Sequence, residues 1–175
     1  MIMSPGQQLL LPANPLFVWG SMLASLLLNF LFDSIFGRAV WVPDMLAITL
    51  VFWTVHQPRR VGMGVAFVFG LLMDVHQAAL LGQHALSYTI LTFGAIAIHR
   101  RVLWFSVPSQ ALQILPLFVL AHAVELGVRM ISGGIFPGWW VFVTPVLESI
   151  FWPVISIILL APQRRAPDPD ANRPL

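Results

Sequence analysis

Six stretches of mostly apolar residues take up nearly all of the chain, at 16–36, 39–56, 61–81, 84–99, 109–131 and 139–161. About 20 such residues make a helix long enough to cross the hydrocarbon core of a bilayer. Each run is therefore a candidate membrane span, with the second and fourth at the lower limit of length. The surface arithmetic agrees. Only 9% of the 175 residues are charged and 58% are hydrophobic, against roughly 25% and 45–50% in soluble domains. Nine basic and seven acidic side chains cannot keep a globular surface of this size in water, so lipid is the solvent for most of it. The apolar content excludes a disordered chain, and the absence of Cys excludes a disulfide scaffold or a cysteine-built metal site.

The basic residues are all Arg and fall mainly in isolated pairs between apolar runs. Despite a pI of about 10.5, they form no stripe interleaved with aromatics, so nucleic acid is not an expected partner. Their distribution tests the span count. With six spans and both termini cytoplasmic, Arg59, Arg60, Arg100, Arg101, Arg164, Arg165 and Arg173 lie inside and only Arg38 and Arg129 outside. Such a bias is what the positive-inside rule requires. Pro58, the turn around Ser132, Gly133 and Gly134, and the Pro137-Gly138 pair punctuate the runs, and Pro43 suits the first turn of its helix. Trp104, Trp139 and Trp140 are expected at the membrane interfaces. Residues 1–161 are read as one six-helix transmembrane domain and 162–175, polar and Pro-rich, as a disordered cytoplasmic tail. No Lys or Arg precedes the first run, so it is expected to remain in the mature protein.

Against that background the ionisable residues inside the runs stand out, because each is costly in a bilayer unless it faces the bundle interior or has a function. Asp33, Asp44, Asp74, Glu125 and Glu148 all fall toward the outer half of the six-span arrangement. They point to a partner or ligand surface facing the periplasm; the alternative is helix-to-helix hydrogen bonding that merely holds the bundle. Ser21, Ser25, Asn29 and Asp33 recur every four residues, a polar stripe that cannot face lipid. Gly62, Ala66, Gly70, Asp74, Ala78 and Gly82 recur at the same interval, a small-residue groove able to admit another helix backbone, from the first span or from a partner. Glu125 and Arg129, at i and i+4 with His122 one turn earlier, are placed for an internal ion pair, unless Arg129 reaches out to lipid headgroups instead. Glu148 lies between Pro145 and Pro153, where freed backbone carbonyls often border a cavity or interface.

The five histidines show no metal-ligand spacing, and a nucleophile with an oriented base, a phosphate loop and a G-x-S-x-G elbow are all missing. Neither an enzyme nor a cofactor or metal is expected.

The run Gly70-Leu71-Leu72-Met73-Asp74, followed by Leu81-Gly82 and Ala85-Leu86, resembles the central signature of the bacterial rod shape-determining MreD family. Size, span count and the Pro43-Asp44 pair also match. The resemblance implies an all-α integral membrane protein of six transmembrane helices, similar in fold to the substrate-binding subunits of energy-coupling-factor transporters. It also implies a non-enzymatic inner-membrane subunit of the cell-elongation complex, supporting rod shape and lateral peptidoglycan synthesis. Its partners would be an MreC-like periplasmic scaffold and, through it, an MreB-like filament and a SEDS glycosyltransferase with its transpeptidase. Gly70, Asp74 and Gly82 are the positions that match. Partner binding or a polar core is thus expected of Asn29, Asp33, Gly70, Asp74, Gly82, Glu125, Arg129 and Glu148. The rival expectation is a small-molecule binding subunit of a transporter, with the acids lining a pocket.

Overall fold

The structure, a computed structural model, describes residues 13–37 and 41–163. Arg38 and the expected tail from residue 164 onward lie outside the described residues. Within them every regular element is helical: α1 (Pro15–Phe36), α2 (Met45–His56), α3 (Met63–His76), α4 (Gln83–Val102), α5 (Val107–Ile131) and α6 (Val143–Leu160). Short 3-10 turns, Trp139–Phe142 and Ala161–Gln163, flank α6. Three stretches are long and apolar enough to cross a membrane, Pro15–Phe36, Val107–Ile131 and Trp139–Gln163.

Local chemistry fixes the helix starts. Asn14 caps α1 by accepting from the Leu16 N–H at 3.0 Å, with Pro15 pre-set for the first turn. Asp44 does the same for α2, accepting from the Ala47 N–H at 2.9 Å. Pro43 therefore precedes the cap rather than opening the helix as expected. The fourth helix is longer than its apolar run implies, with 20 residues in α4, or about 30 Å.

The second helix is the reverse case. α2 has 12 residues, a rise of only about 18 Å, and every residue from 45 to 55 is buried. A helix that is apolar all round belongs inside a bundle. α2 packs against α1, α4 and α6, and α3, α4, α5 and α6 pack in sequence, each against the next. Its length need not match the bilayer because other helices, not lipid, surround it. Aromatic contacts lock it in place: Trp53 meets Phe17 of α1 edge-on at 5.9 Å between centroids, and Phe52 meets Trp152 of α6 at 6.1 Å.

Ser21, Ser25 and Asn29 of the polar stripe of α1 face this central helix, while Asp33 accepts from the Gln77 amide at the end of α3 at 3.0 Å. Ser25 Oγ and Thr49 Oγ1 share a hydrogen bond of 2.7 Å, and the Trp53 indole donates to Ser21 Oγ at 2.8 Å. Polar side chains thus spend their hydrogen bonds on neighbouring helices, as the exclusion from lipid requires.

Pro153 stands inside α6 and takes away the donor that the Ser149 carbonyl would receive. Pro145 falls in the first turn, where its missing N–H costs nothing. Of the two prolines around Glu148, then, only Pro153 interrupts the ladder.

Candidate functional site

The α1–α2, α3–α4 and α5–α6 connections come together at one end of the bundle, around a polar cavity of about 600 Å³. Asn29, Asp33, Asp44, Glu125 and Arg129 are among the residues lining it. Arg59, Arg60, Arg100 and Arg101 belong to the opposite helix ends. The separation of acids from Arg pairs expected from the sequence is therefore present along the helices.

The α3–α4 connection carries the family-like motif, and Gly70, Asp74 and Gly82 within it each have a geometric task. α3 stops at His76, so the groove of small residues comprises Ala66, Gly70 and Asp74 inside the helix, while Ala78 and Gly82 lie in the turn beyond it. The helix that this groove admits is α4. A Cβ on Gly70 would press on the Cα of Ala85, 2.6 Å from its backbone N and 2.8 Å from the His84 carbonyl carbon. Only a residue without a side chain lets the two backbones approach so closely. Gly82 caps α4 at φ 101°, in the left-handed region where a side chain is strained.

Asp74 completes the junction. Wholly buried, it accepts from the Gly82 N–H at 2.8 Å, the His84 N–H at 2.7 Å and the Ala85 N–H at 3.4 Å. These are the orphan donors of the first turn of α4, and a carboxylate there also complements the helix dipole. Its Oδ1 also lies 2.8 Å from Nδ1 of His84. Asp74 and Gly70 consequently face α4 and not lipid, and a membrane helix from a partner has no access to them.

His84 continues the chain of contacts. Its Nε2 lies 3.2 Å from Oε1 of Glu125 on α5, which also accepts from the Gln83 amide at 3.3 Å. The expected pair between Glu125 and Arg129 is not formed. Glu125 turns to α4, while Arg129 is exposed at the cavity and takes part in no ion pair. Among the described residues, every ion-pair contact joins a histidine to a carboxylate: His76 to Asp33 at 3.7 Å, His84 to Asp74 and Glu125, and His122 to Glu148 at 3.5 Å. No group of three or more potential ligands among the described residues is arranged to hold a metal ion.

Across the cavity, Asp44 joins three helices. It caps α2, accepts from the Asn29 amide at 2.6 Å and takes the hydroxyl hydrogen of Tyr88 on α4. Asn29 returns the contact by accepting from the Met45 N–H at 3.0 Å. Behind this wall Glu148, wholly buried, accepts from the Asp44 N–H at 3.3 Å through Oε1, and its Oε2 has no hydrogen-bond partner. Asp44→Ala removes a cap worth about 1 kcal/mol and strands two donors, each at about 1–3 kcal/mol if left unsatisfied. The variant is expected to melt well below the parent in detergent; an unchanged melting curve would show that Asp44 holds nothing together.

The eight expected site residues thus divide by position. Asn29, Asp33, Glu125 and Arg129 line the cavity, Glu148 stands behind its wall, and Gly70, Asp74 and Gly82 build the α3–α4 junction that forms one side. His84, Tyr88 and Gln83 take part without having been expected, and His122, placed by its spacing beside Glu125, reaches Glu148 on α6 instead. These partners come from other helices, so sequence spacing carries no sign of them.

A family model for the rod shape-determining protein MreD matches residues 13–164. The Rod shape-determining protein MreD of Haemophilus influenzae is 23% identical over 133 residues, spanning 74% of this chain and 80% of the relative. No solved structure matches the chain. With a family match that runs through all six helices and includes the Gly70, Asp74 and Gly82 junction, the chain belongs to the MreD family of rod shape-determining proteins.

Proposed function

We propose that this protein is a non-enzymatic, six-span subunit of the inner-membrane rod complex, with both termini in the cytoplasm and the polar cavity open to the periplasm. It would support lateral peptidoglycan synthesis by binding an MreC-like scaffold and, through it, an MreB-like filament and a SEDS glycosyltransferase with its transpeptidase. The observation that carries this reading is the family match across residues 13–164. Alternating helix directions support it, since every second connection meets at the cavity and leaves the Arg pairs at the other end. Likeness to the substrate-binding subunits of energy-coupling-factor transporters belongs to the same proposal.

Because Asp74 and Gly70 are covered by α4, partner binding would use the outward faces of the bundle. α1 is the most exposed of these, with Leu16, Leu27, Leu31 and Ile35 each more than half uncovered. The test is co-purification of the scaffold with the full chain from membranes. Recovery is expected with the parent and lost on replacing Leu27 and Leu31 with Trp, whereas full recovery from both this variant and others along α1 would move the contact elsewhere.

A second reading is favoured by one specific observation, the cavity itself. Its volume lies within the roughly 300–1,000 Å³ of small-molecule sites, and polar groups converge on it. A ligand-binding subunit would be stabilised by its ligand in proportion to ligand concentration.

The membrane orientation has a simple check, since the chain contains no Cys. A single Ser132→Cys is expected to react with an impermeant maleimide from the periplasmic side of intact cells, and a single Arg59→Cys only after lysis. The opposite pattern would invert the arrangement.

A further inference from the structure

The cavity carries an arrangement of charge that a scaffold role does not use. Arg129 is exposed at its wall without an ion-pair partner, while Glu125 and Asp33 belong to the same lining with side chains 27% and 18% exposed. Among the described residues, then, Arg129 without an ion-pair partner shares a space of about 600 Å³ with two carboxylates. Both stay partly exposed, although Asp33 is held by His76 and Gln77 and Glu125 by His84 and Gln83. Glu148, behind two wall residues, adds a buried oxygen whose hydrogen-bonding capacity is unfilled.

The rim tells where this space opens. Trp41 immediately precedes two lining residues, Val42 and Pro43, and Trp139 and Trp140 lie between two others, Pro137 and Val141. These three indoles are 65%, 79% and 74% exposed. Tryptophan concentrates at the headgroup level of a bilayer, where one part of the ring is apolar and the N–H is wet. Leu81 and Ile131, 69% and 90% exposed beside the same lining, would be poorly placed in water but suit the outer edge of the acyl region. A cavity with this rim opens among lipid headgroups.

A guanidinium binds phosphate oxygens in a planar, two-pronged fashion, and a primary ammonium offers three donors to carboxylates. We propose that the cavity takes the ammonium–phosphate headgroup of a zwitterionic aminophospholipid, with the phosphate on Arg129 and the ammonium against Glu125 and Asp33. The acyl chains remain outside along the apolar rim. An anionic headgroup lacks the ammonium and would meet the carboxylates, and a trimethylated ammonium has no N–H to donate. The inference rests on the proposed function only for the side of the membrane on which the cavity opens.

The experiment uses the purified full chain, stripped of lipid in detergent, and reads thermal stabilisation as phosphatidylethanolamine, phosphatidylglycerol or phosphatidylcholine is added. Phosphatidylethanolamine is expected to stabilise at about tenfold lower concentration than phosphatidylglycerol, a difference of about 1.4 kcal/mol. Arg129→Gln should weaken the ethanolamine lipid about tenfold, with partial recovery in Arg129→Lys, and Glu125→Gln should narrow the preference over phosphatidylglycerol. Circular dichroism of each lipid-free variant reports whether it is folded. Water-soluble O-phosphoethanolamine identifies the source. If it stabilises as well as the lipid, the site takes the headgroup chemistry from a free compound; if only the lipid acts, the membrane supplies it. Equal response to all three lipids, or no change in folded Arg129→Gln, would overturn the proposal. Co-purification of the scaffold is scored separately, so loss of lipid preference and loss of the rod complex are distinguishable.

Discussion

Asp74→Ala is expected to loosen the α3–α4 junction and cost about 3–5 kcal/mol, the range found when one member of a buried, hydrogen-bonded charged set is removed. The carboxylate accepts from three backbone N–H groups and lies against the His84 ring, in a place with no access to water. Alanine would strand all of those donors at once. Asparagine is expected to fare little better. Both oxygens of Asp74 accept, so whichever way the amide is turned its NH2 meets an N–H donor. The measurement is thermal melting of the purified variants, with protease sensitivity of the 77–82 turn as a local readout. A variant that melts like the parent and yet fails to recover the scaffold would instead make Asp74 a direct partner contact.

Gly70→Ala tests the other half of the junction. An added methyl would fall within 3 Å of the α4 backbone at His84 and Ala85, and backbone cannot step aside as a flexible side chain can. Overpacking of this kind costs about 1–3 kcal/mol, and Gly70→Leu should prevent the two helices from closing. The contact is with the Cα and N of Ala85, not its methyl. Adding Ala85→Gly should therefore not rescue Gly70→Ala, and a rescue would show that the side chains, not the backbones, set the approach.

How much of this was legible in the sequence depended on whether the signal was local. Six apolar runs correspond to six helices because apolar length and breakers act within a single segment. The polar stripe of α1 was readable from its spacing of four, and its burial against α2 follows from the same physics. Three ends were misplaced for local reasons that apolar character does not report. α3 stops five residues before its apolar run does, because Ala78 and Gly82 adopt positive φ and the turn between them folds back onto Asp74. α4 extends to Val102 because Arg100 and Arg101, though charged, are good helix formers that suit a C-terminal turn. Pro43 suits a first helical turn by its fixed φ, yet Asp44 after it is the cap, because its carboxylate reaches the Ala47 N–H.

The candidate site was less legible. The acids could be found from their cost in a membrane, and four of the eight expected residues do line the cavity. Partners could not be found. The i, i+4 rule pairs Glu125 with Arg129 on one helix, but His84 and Gln83 on α4 hold that carboxylate, and Arg129 forms no ion pair among the described residues. His122, alone in the sequence, reaches Glu148 on the next helix. Tertiary contact decides such pairings, and it lies beyond what spacing within one segment can show. The α3 groove gave the right packing chemistry but the wrong occupant: its spacing pointed to the first span or a partner's helix, and the backbone of α4 fills it.

Depletion of the chain from its own cells, scored by cell form, measures the central claim most directly. Rods are expected to widen and round up as the protein is lost, and expression of the parent chain should restore them. Asp74→Ala should restore them only to the extent that folded protein accumulates in the membrane. Cells that keep dividing as rods of unchanged width after the protein has gone would contradict a role in rod shape.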